Sequence, residues 1–112
     1  MTKKQQIYKN NQREIRLHMD DWQCKFPGCY TPGKQLAHRI ARTKANIKKC
    51  GLEFIDHNIN LATACCLEHN SFWNIGNNPE KCNILYTLYN SHRHGQTLTT
   101  EFINNILEVG IK

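Results

Sequence analysis

The spacing of apolar residues along the chain predicts five helices and two short strands. Residues 3–21 have an amphipathic pattern with apolar residues on one face, and their basic residues, Lys3, Lys4, Lys9, Arg13 and Arg16, are expected to point outward. Alternation of apolar and polar residues predicts strands at 35–40 and 59–63. The other predicted helices are 41–50, which ends at Gly51, then 65–75, 79–89 and 99–109.

The order of these elements indicates a single α+β domain over residues 1–112. We expect a basic N-terminal helix over 1–21, a core over 22–76 that contains both strands, and a pair of C-terminal helices over 77–112. No internal repeat or low-complexity segment divides the chain.

The composition limits how this domain is stabilised. Only 39% of the residues are apolar and the formal net charge is +6, so the hydrophobic core must be small. Six cysteines are present, but no apolar stretch typical of a secretory signal precedes them, which disfavours a disulfide framework. We expect a reducing, cytoplasmic location and no membrane association, since no segment has the roughly 18 apolar residues that span a bilayer.

Two residue pairs, one of two cysteines and one of a cysteine and a histidine, have the spacing of metal ligands. Cys24 and Cys29 flank a Pro-Gly turn that brings their thiols to one side. Cys65 and His69 are four residues apart and therefore share a face of the predicted helix. Together they would form a tetrahedral zinc site that adds folding free energy to a small core. Cys66, three residues before His69, is the alternative to Cys65.

A basic stretch follows the first predicted strand. No acidic residue occurs between Lys34 and Glu53. Such an uncompensated run favours contact with nucleic-acid phosphates over a solvated face. The candidate phosphate contacts are Arg39, Arg42, Lys44, Lys48 and Lys49, with Arg39 and Arg42 as first choice.

The order of His38, Asn60 and the run that ends at Asn70 resembles the HNH endonuclease family, in its short phage-encoded form. The resemblance covers residues 22–76, and its most specific part is Asn60-Leu61, with Cys65 five residues and Asn70 ten residues after Asn60. It implies a ββα-metal core held together by a zinc knuckle. It also implies a metal-dependent DNA endonuclease, in the host cytoplasm if phage-encoded, without an organic cofactor.

Carried over residue by residue, the resemblance implies that His38 activates water, that Asn60 orients His38, and that Asn70 binds Mg²⁺ or Mn²⁺. Asn74, one turn further along the predicted helix, would be a second ligand of that cation. One position departs from the family: Ala37 stands where many members have an acidic metal ligand. Asp56 or His57 from the intervening loop could then complete the cation site.

Two functions follow from these features. The first is hydrolysis of DNA phosphodiester bonds by His38 with a divalent cation at Asn70. The alternative is a zinc-stabilised DNA-binding module without catalysis, which the missing carboxylate at Ala37 favours. A zinc-knuckle adaptor for protein partners is a third interpretation, but it leaves the basic stretch without a role.

Overall fold

The computed structural model describes residues 1–76, 78–92 and 98–109, and all structural statements concern these ranges. None of the helices in them is long and apolar enough to cross a membrane. The strands are β1 (Gln35–His38) and β2 (Leu61–Ala64). The helices are α1 (Lys3–Met19), α2 (Lys44–Cys50), α3 (Leu52–Ile55), α4 (Leu67–Phe72), α5 (Pro79–His92) and α6 (Thr100–Leu107).

The region between the strands contains more helix than the sequence pattern predicts. The short helix α3 was not predicted, and a 3₁₀ turn, Asn58–Asn60, occupies the start of the predicted strand 59–63. Gly51 separates α2 from α3 with φ +90°, a conformation that glycine adopts without steric cost. The predicted helix 65–75 is shorter, because α4 begins after Cys66 and ends at Phe72.

The two strands form an antiparallel hairpin whose faces pack against different helices. Ala37 is opposite Ala62, and His38 is opposite Leu61. On one face, Leu36 and Leu61 pack against Leu17 of α1. On the other face, Ala37 and Ala62 pack against Trp73, the residue that follows α4. The hairpin and α4 therefore form a ββα unit, with His38 at the end of β1 and on the α1 side.

The main hydrophobic cluster connects the segment between the two strands to the C-terminal helices. It contains Ile40, Phe54, Ile55, Ile59, Leu85, Tyr89, Ile103 and Leu107. The first four residues lie between β1 and β2, and the last four belong to α5 and α6. The C-terminal helices therefore form a core with the segment that joins the strands.

A buried arginine joins α1 to the rest of the molecule. The side chain of Arg16 is fully buried, whereas the amphipathic pattern had predicted that it points outward. Its guanidinium donates hydrogen bonds to the backbone and side-chain oxygens of Asn58, to the Leu98 carbonyl and to the Thr100 hydroxyl. Because each of its three nitrogens donates to an oxygen of another segment, the guanidinium can leave water and keep most of its hydrogen bonds.

Candidate functional site

Four side chains form a cluster that could hold a metal ion. The ligand atoms of Cys24, Cys29, Cys65 and His69 all lie within 4.8 Å of one another. The Nδ1 atom of His69 is 3.5 Å from the Cys24 sulfur and 3.4 Å from the Cys65 sulfur. The sulfurs of Cys29 and Cys65 are 3.7 Å apart, too far for a disulfide bond. The structure thus places Cys65, and not Cys66, in the cluster.

These distances match a tetrahedral zinc site. With Zn–S bonds of about 2.3 Å and Zn–N bonds of about 2.0–2.1 Å, ideal tetrahedral angles require S···S distances of about 3.8 Å and S···N distances of about 3.5 Å. The Cys29–Cys65 and Cys65–His69 separations of 3.7 and 3.4 Å agree with both values. Three thiolates and one imidazole form a closed set typical of structural zinc. The donor set and these separations therefore fit a zinc ion.

Local backbone features bring the ligands together. Gly28, between the first two cysteines, has φ +84°, and the Cys29 amide donates to the Phe26 carbonyl to close the turn. Gly33 fits tightly beside β2, because a Cβ atom there would lie 2.6 Å from the Ala64 carbonyl oxygen. This close approach holds the loop that carries Cys24 and Cys29 against β2, the strand that leads to Cys65.

The surroundings of the cluster favour a thiolate at Cys29 and a fixed imidazole, whereas the pKa of Cys65 is raised to about 11, against the effect of Thr31, by burial and the neighbouring thiols. The hydroxyl of Thr31, 3.0 Å from the Cys29 sulfur, lowers the pKa of Cys29 to about 6. A thiol with this pKa is ionised at neutral pH and ready to bind a cation. On the other side, the ring of Phe26 stacks on the His69 imidazole with 4.0 Å between ring centroids.

His38 lies beside the carboxylate of Asp56, a partner that the sequence did not indicate. Its Nε2 atom lies 3.6 Å from Oδ1 of Asp56, whose side chain is only 1% exposed. Asp56 was predicted only as an additional cation ligand. The His38 side chain is 20% exposed. Burial is the largest influence on the pKa of His38 and lowers it, although Asp56 acts in the opposite direction. His38 is therefore neutral at pH 7 and can accept a proton.

Two cations act on His38 through their charge. The positive charges of Arg42 and Lys9 both lower the pKa of His38, although less than its burial does. Arg42 donates from Nε to Oδ1 of Asp56 at 2.9 Å. A cleft of about 380 Å³ opens beside Asp56 between α1 and α3, and its lining includes Lys4 and Tyr8. Lys4, Tyr8 and Lys9 were not predicted as site residues, since the sequence of α1 does not indicate which segment the helix packs against.

The prediction that Asn60 orients His38 is wrong. The Asn60 side chain is fully buried and all its polar atoms have backbone partners. Its carbonyl oxygen accepts from the Ile40 amide, and its NH₂ group donates to the carbonyls of Ile40 and Ile55. Asn60 instead fixes the segment that follows β1 to the segment that precedes β2.

The predicted site for Mg²⁺ or Mn²⁺ is not assembled by the residues that the structure describes. Asn74 lies beyond the end of α4, is exposed, and accepts from the Gly76 amide at 2.6 Å. Asn70 donates to the side chain of Gln35 at the start of β1, whereas His38 is at its end. The face of Ala37 is covered by Trp73. The resemblance therefore does not extend to a cation site, because a hard cation needs several oxygen ligands and an aromatic ring offers none.

The predicted phosphate contacts fall into three groups: one buried, one paired with a carboxylate, and three exposed. Arg39 is wrong as a phosphate contact, since it is fully buried, donates to Asn104 and lies over the ring of Trp73. Burial lowers the pKa of Arg39 to about 9. Arg42 is partly exposed but paired with Asp56. The remaining candidates are exposed on α2 and have no ion-pair partner among the described residues: Lys44, Lys48 and Lys49.

Comparison of the chain with protein-family models, with curated proteins and with solved structures finds no match. The interpretation of the site therefore depends on its geometry and chemistry.

Proposed function

We propose that this protein binds DNA and hydrolyses its phosphodiester bonds, with His38 as the general base and Asp56 as the residue that holds it. The observation that carries the proposal is the 3.6 Å contact between the imidazole of His38 and the buried carboxylate of Asp56. Coupling of a partly exposed histidine to a buried carboxylate is a common way to orient a base and to stabilise its protonated form.

The proton transfer uses both nitrogens of the imidazole. With an N–H group on Nε2 directed at Asp56, Nδ1 is free to accept a proton from a water molecule. The resulting hydroxide attacks phosphorus, the bond to the leaving oxygen breaks, and that oxygen takes a proton from solvent. The proton gained by His38 makes an imidazolium, whose charge the Asp56 carboxylate stabilises at 3.6 Å.

Positive side chains near His38 would hold the phosphate. The charges of Lys9 and Arg42 act on the imidazole, Arg42 is paired with Asp56, and Lys4 lines the cleft beside Asp56. These cations would stabilise the negative charge that develops on the phosphate oxygens. Lys44, Lys48 and Lys49 on α2 extend the positive surface and would contact neighbouring phosphates without reading the sequence.

Zinc at Cys24, Cys29, Cys65 and His69 has a structural role in this proposal. All four ligand positions come from the protein, so the ion keeps no open position for water or substrate. When bound, it joins the cysteine loop to α4 and so supports the hairpin that carries His38.

A second candidate function is DNA binding without hydrolysis. The observation that favours it is the buried contact of Trp73 with Ala37, which covers the face where the resemblance implies a cation. In this case the pair of His38 and Asp56 would only fasten the end of β1 to α3.

Nicking of supercoiled plasmid separates the two candidates. The zinc-loaded protein is incubated with plasmid alone, with Mg²⁺ and with Mn²⁺, and DNA binding is measured in parallel by fluorescence anisotropy. Nicking above the level of an Asp56→Asn, His38→Ala double variant supports hydrolysis. Binding without nicking in any condition supports the non-catalytic module, and absence of both contradicts both candidates.

A further inference from the structure

A second cleft, of about 390 Å³, lies between the end of α2 and the start of α5. Asn46, Lys49 and Cys50 line it from α2, and Cys82, Asn83 and Tyr86 line it from α5. Ile40, which is only 3% exposed, forms part of its apolar lining. The size is within the range of about 300–1,000 Å³ that small-molecule sites occupy.

The cleft presents polar groups that lack a hydrogen-bond partner among the described residues. Among the described residues, the Lys49 ammonium and the Asn83 side-chain amide have no hydrogen-bond or ion-pair partner. The Asn46 side chain uses its NH₂ group on the Ala41 carbonyl, so its carbonyl oxygen is available. A carboxamide offers a donor and an acceptor side by side, the arrangement that pairs with the edge of a nucleobase.

An aromatic ring lies at the same cleft. Tyr86 is 39% exposed, and its ring lies at 76° to that of Phe54 with 5.2 Å between centroids. A partly exposed ring that packs against a buried residue offers a surface on which a base can stack. The flat apolar surface, the carboxamides and the cation together match a nucleotide better than a purely apolar ligand.

We propose that this cleft binds one unstacked base of single-stranded DNA, with Asn83 on the edge of the base, Tyr86 against its face and Lys49 on its phosphate. This inference rests on the proposed function, because it takes the DNA partner from it. The cleft also adjoins the path of the DNA backbone, since Lys49 belongs to the same helix as Lys44 and Lys48. A base that leaves the stack beside α2 would therefore find a site that double-stranded DNA cannot fill.

Titration with free nucleotides tests the cleft separately from nuclease activity. Each of the four deoxynucleoside 5′-monophosphates is added to the zinc-loaded protein, and the side-chain amide signals of Asn46 and Asn83 are followed by NMR. We expect at least one nucleotide to shift both signals, while ribose 5-phosphate, which lacks the base, does not. Equal shifts with ribose 5-phosphate, or no shifts, would overturn the proposal.

A substitution pair tests the same cleft with DNA. Asn83→Asp removes the NH₂ donor and should weaken binding of a single-stranded decanucleotide roughly tenfold, the loss expected for one base contact. Asn90→Asp makes the same charge change at an exposed position of α5 outside the cleft, and should alter affinity less than about twofold. Equal losses in the two variants would overturn the proposal. If nucleotides bind as expected but plasmid is neither bound nor nicked, the proposed function fails while the cleft assignment stands.

Discussion

Trp73 packs against Ala37, and both side chains are fully buried on the α4 face of the hairpin. Ala37 directly precedes His38 in β1, so the ring covers the position at which the resemblance implies a cation ligand. The guanidinium of Arg39 lies over the same ring at 5.1 Å from its centroid. Packing of an aromatic ring and a guanidinium therefore occupies this face of the sheet.

Removal of the Trp73 ring should destabilise the protein strongly. We expect Trp73→Leu to lower the free energy of unfolding by about 2–4 kcal/mol, since it leaves a cavity between the hairpin and Arg39. The matched control is Trp22→Leu, because Trp22 is 37% exposed and should cost less than about 1 kcal/mol. Urea unfolding followed by circular dichroism measures both. Equal losses would show that Trp73 is not a core residue.

The cysteine and histidine cluster should bind one zinc ion per chain. We expect Cys24→Ser and Cys65→Ser to lose zinc and to melt at lower temperature, because each leaves an incomplete site. Cys66→Ser should keep both zinc and melting temperature, since Cys66 lies outside the cluster. Native mass spectrometry and thermal melting provide the measurements. Zinc loss in Cys66→Ser, or zinc-free wild-type protein purified without chelator, would contradict the site.

His57 should make the fold sensitive to acid. Burial lowers the pKa of His57 to about 4, and its Nδ1 accepts a hydrogen bond from the Ile59 amide, which only the unprotonated nitrogen can do. The folded state therefore prefers neutral His57. Its contribution to stability is complete above the unfolded pKa of about 6.5 and is lost as the pH falls from there toward 4.

The test compares wild type with His57→Gln in urea at pH 7 and pH 5. A pKa change from 6.5 to about 4 predicts that wild type loses up to about 2 kcal/mol more than the variant over this interval. Zinc ligands are the same in both proteins, so their titration cancels in the difference. Identical losses would show that His57 titrates normally in the folded state.

The lysines of α2 should contribute to DNA affinity through phosphate contacts. Substitution of Lys44, Lys48 and Lys49 by Gln should weaken binding to all duplex sequences alike. It should also reduce the slope of log affinity against log salt by about one for each lost contact. Lys25→Gln is the control, because Lys25 is already paired with Glu101 at 3.1 Å. A slope unchanged in the triple variant would show that this face does not contact DNA.

The metal cluster could be predicted from the sequence because its ligands come from two local spacings. A turn brings Cys24 near Cys29, and one helical turn separates Cys65 from His69, so only one long-range contact had to be inferred. The strands and most helices were also predicted, because the alternation or periodicity of apolar residues that indicates them is local in the sequence. Helix α3 is four residues long and too short for a periodic signal.

The surroundings of His38 could not be predicted in the same way. Asn60 is bonded to the backbone of Ile40 and Ile55, and that role depends on how two loops meet. Arg39 belongs to a basic stretch that is typical of a protein surface. Its guanidinium is nevertheless buried, lies over the ring of Trp73 and donates to the side chain of Asn104. Asp56 was predicted only as one of two loop residues that could bind a cation, since the sequence does not indicate which loop residue reaches His38.

The most direct test of the role of His38 compares the single-turnover rates at which the protein and its His38 variant nick plasmid DNA. His38→Ala should lower the rate on the order of a hundredfold or more, while DNA affinity and zinc content stay unchanged, because a general base acts only in the transition state. His18→Ala is the matched control, since the His18 side chain is 70% exposed on α1. A full rate in His18→Ala with a hundredfold loss in His38→Ala is the predicted result. Equal nicking by the two variants, with zinc bound in both, would contradict the role of His38.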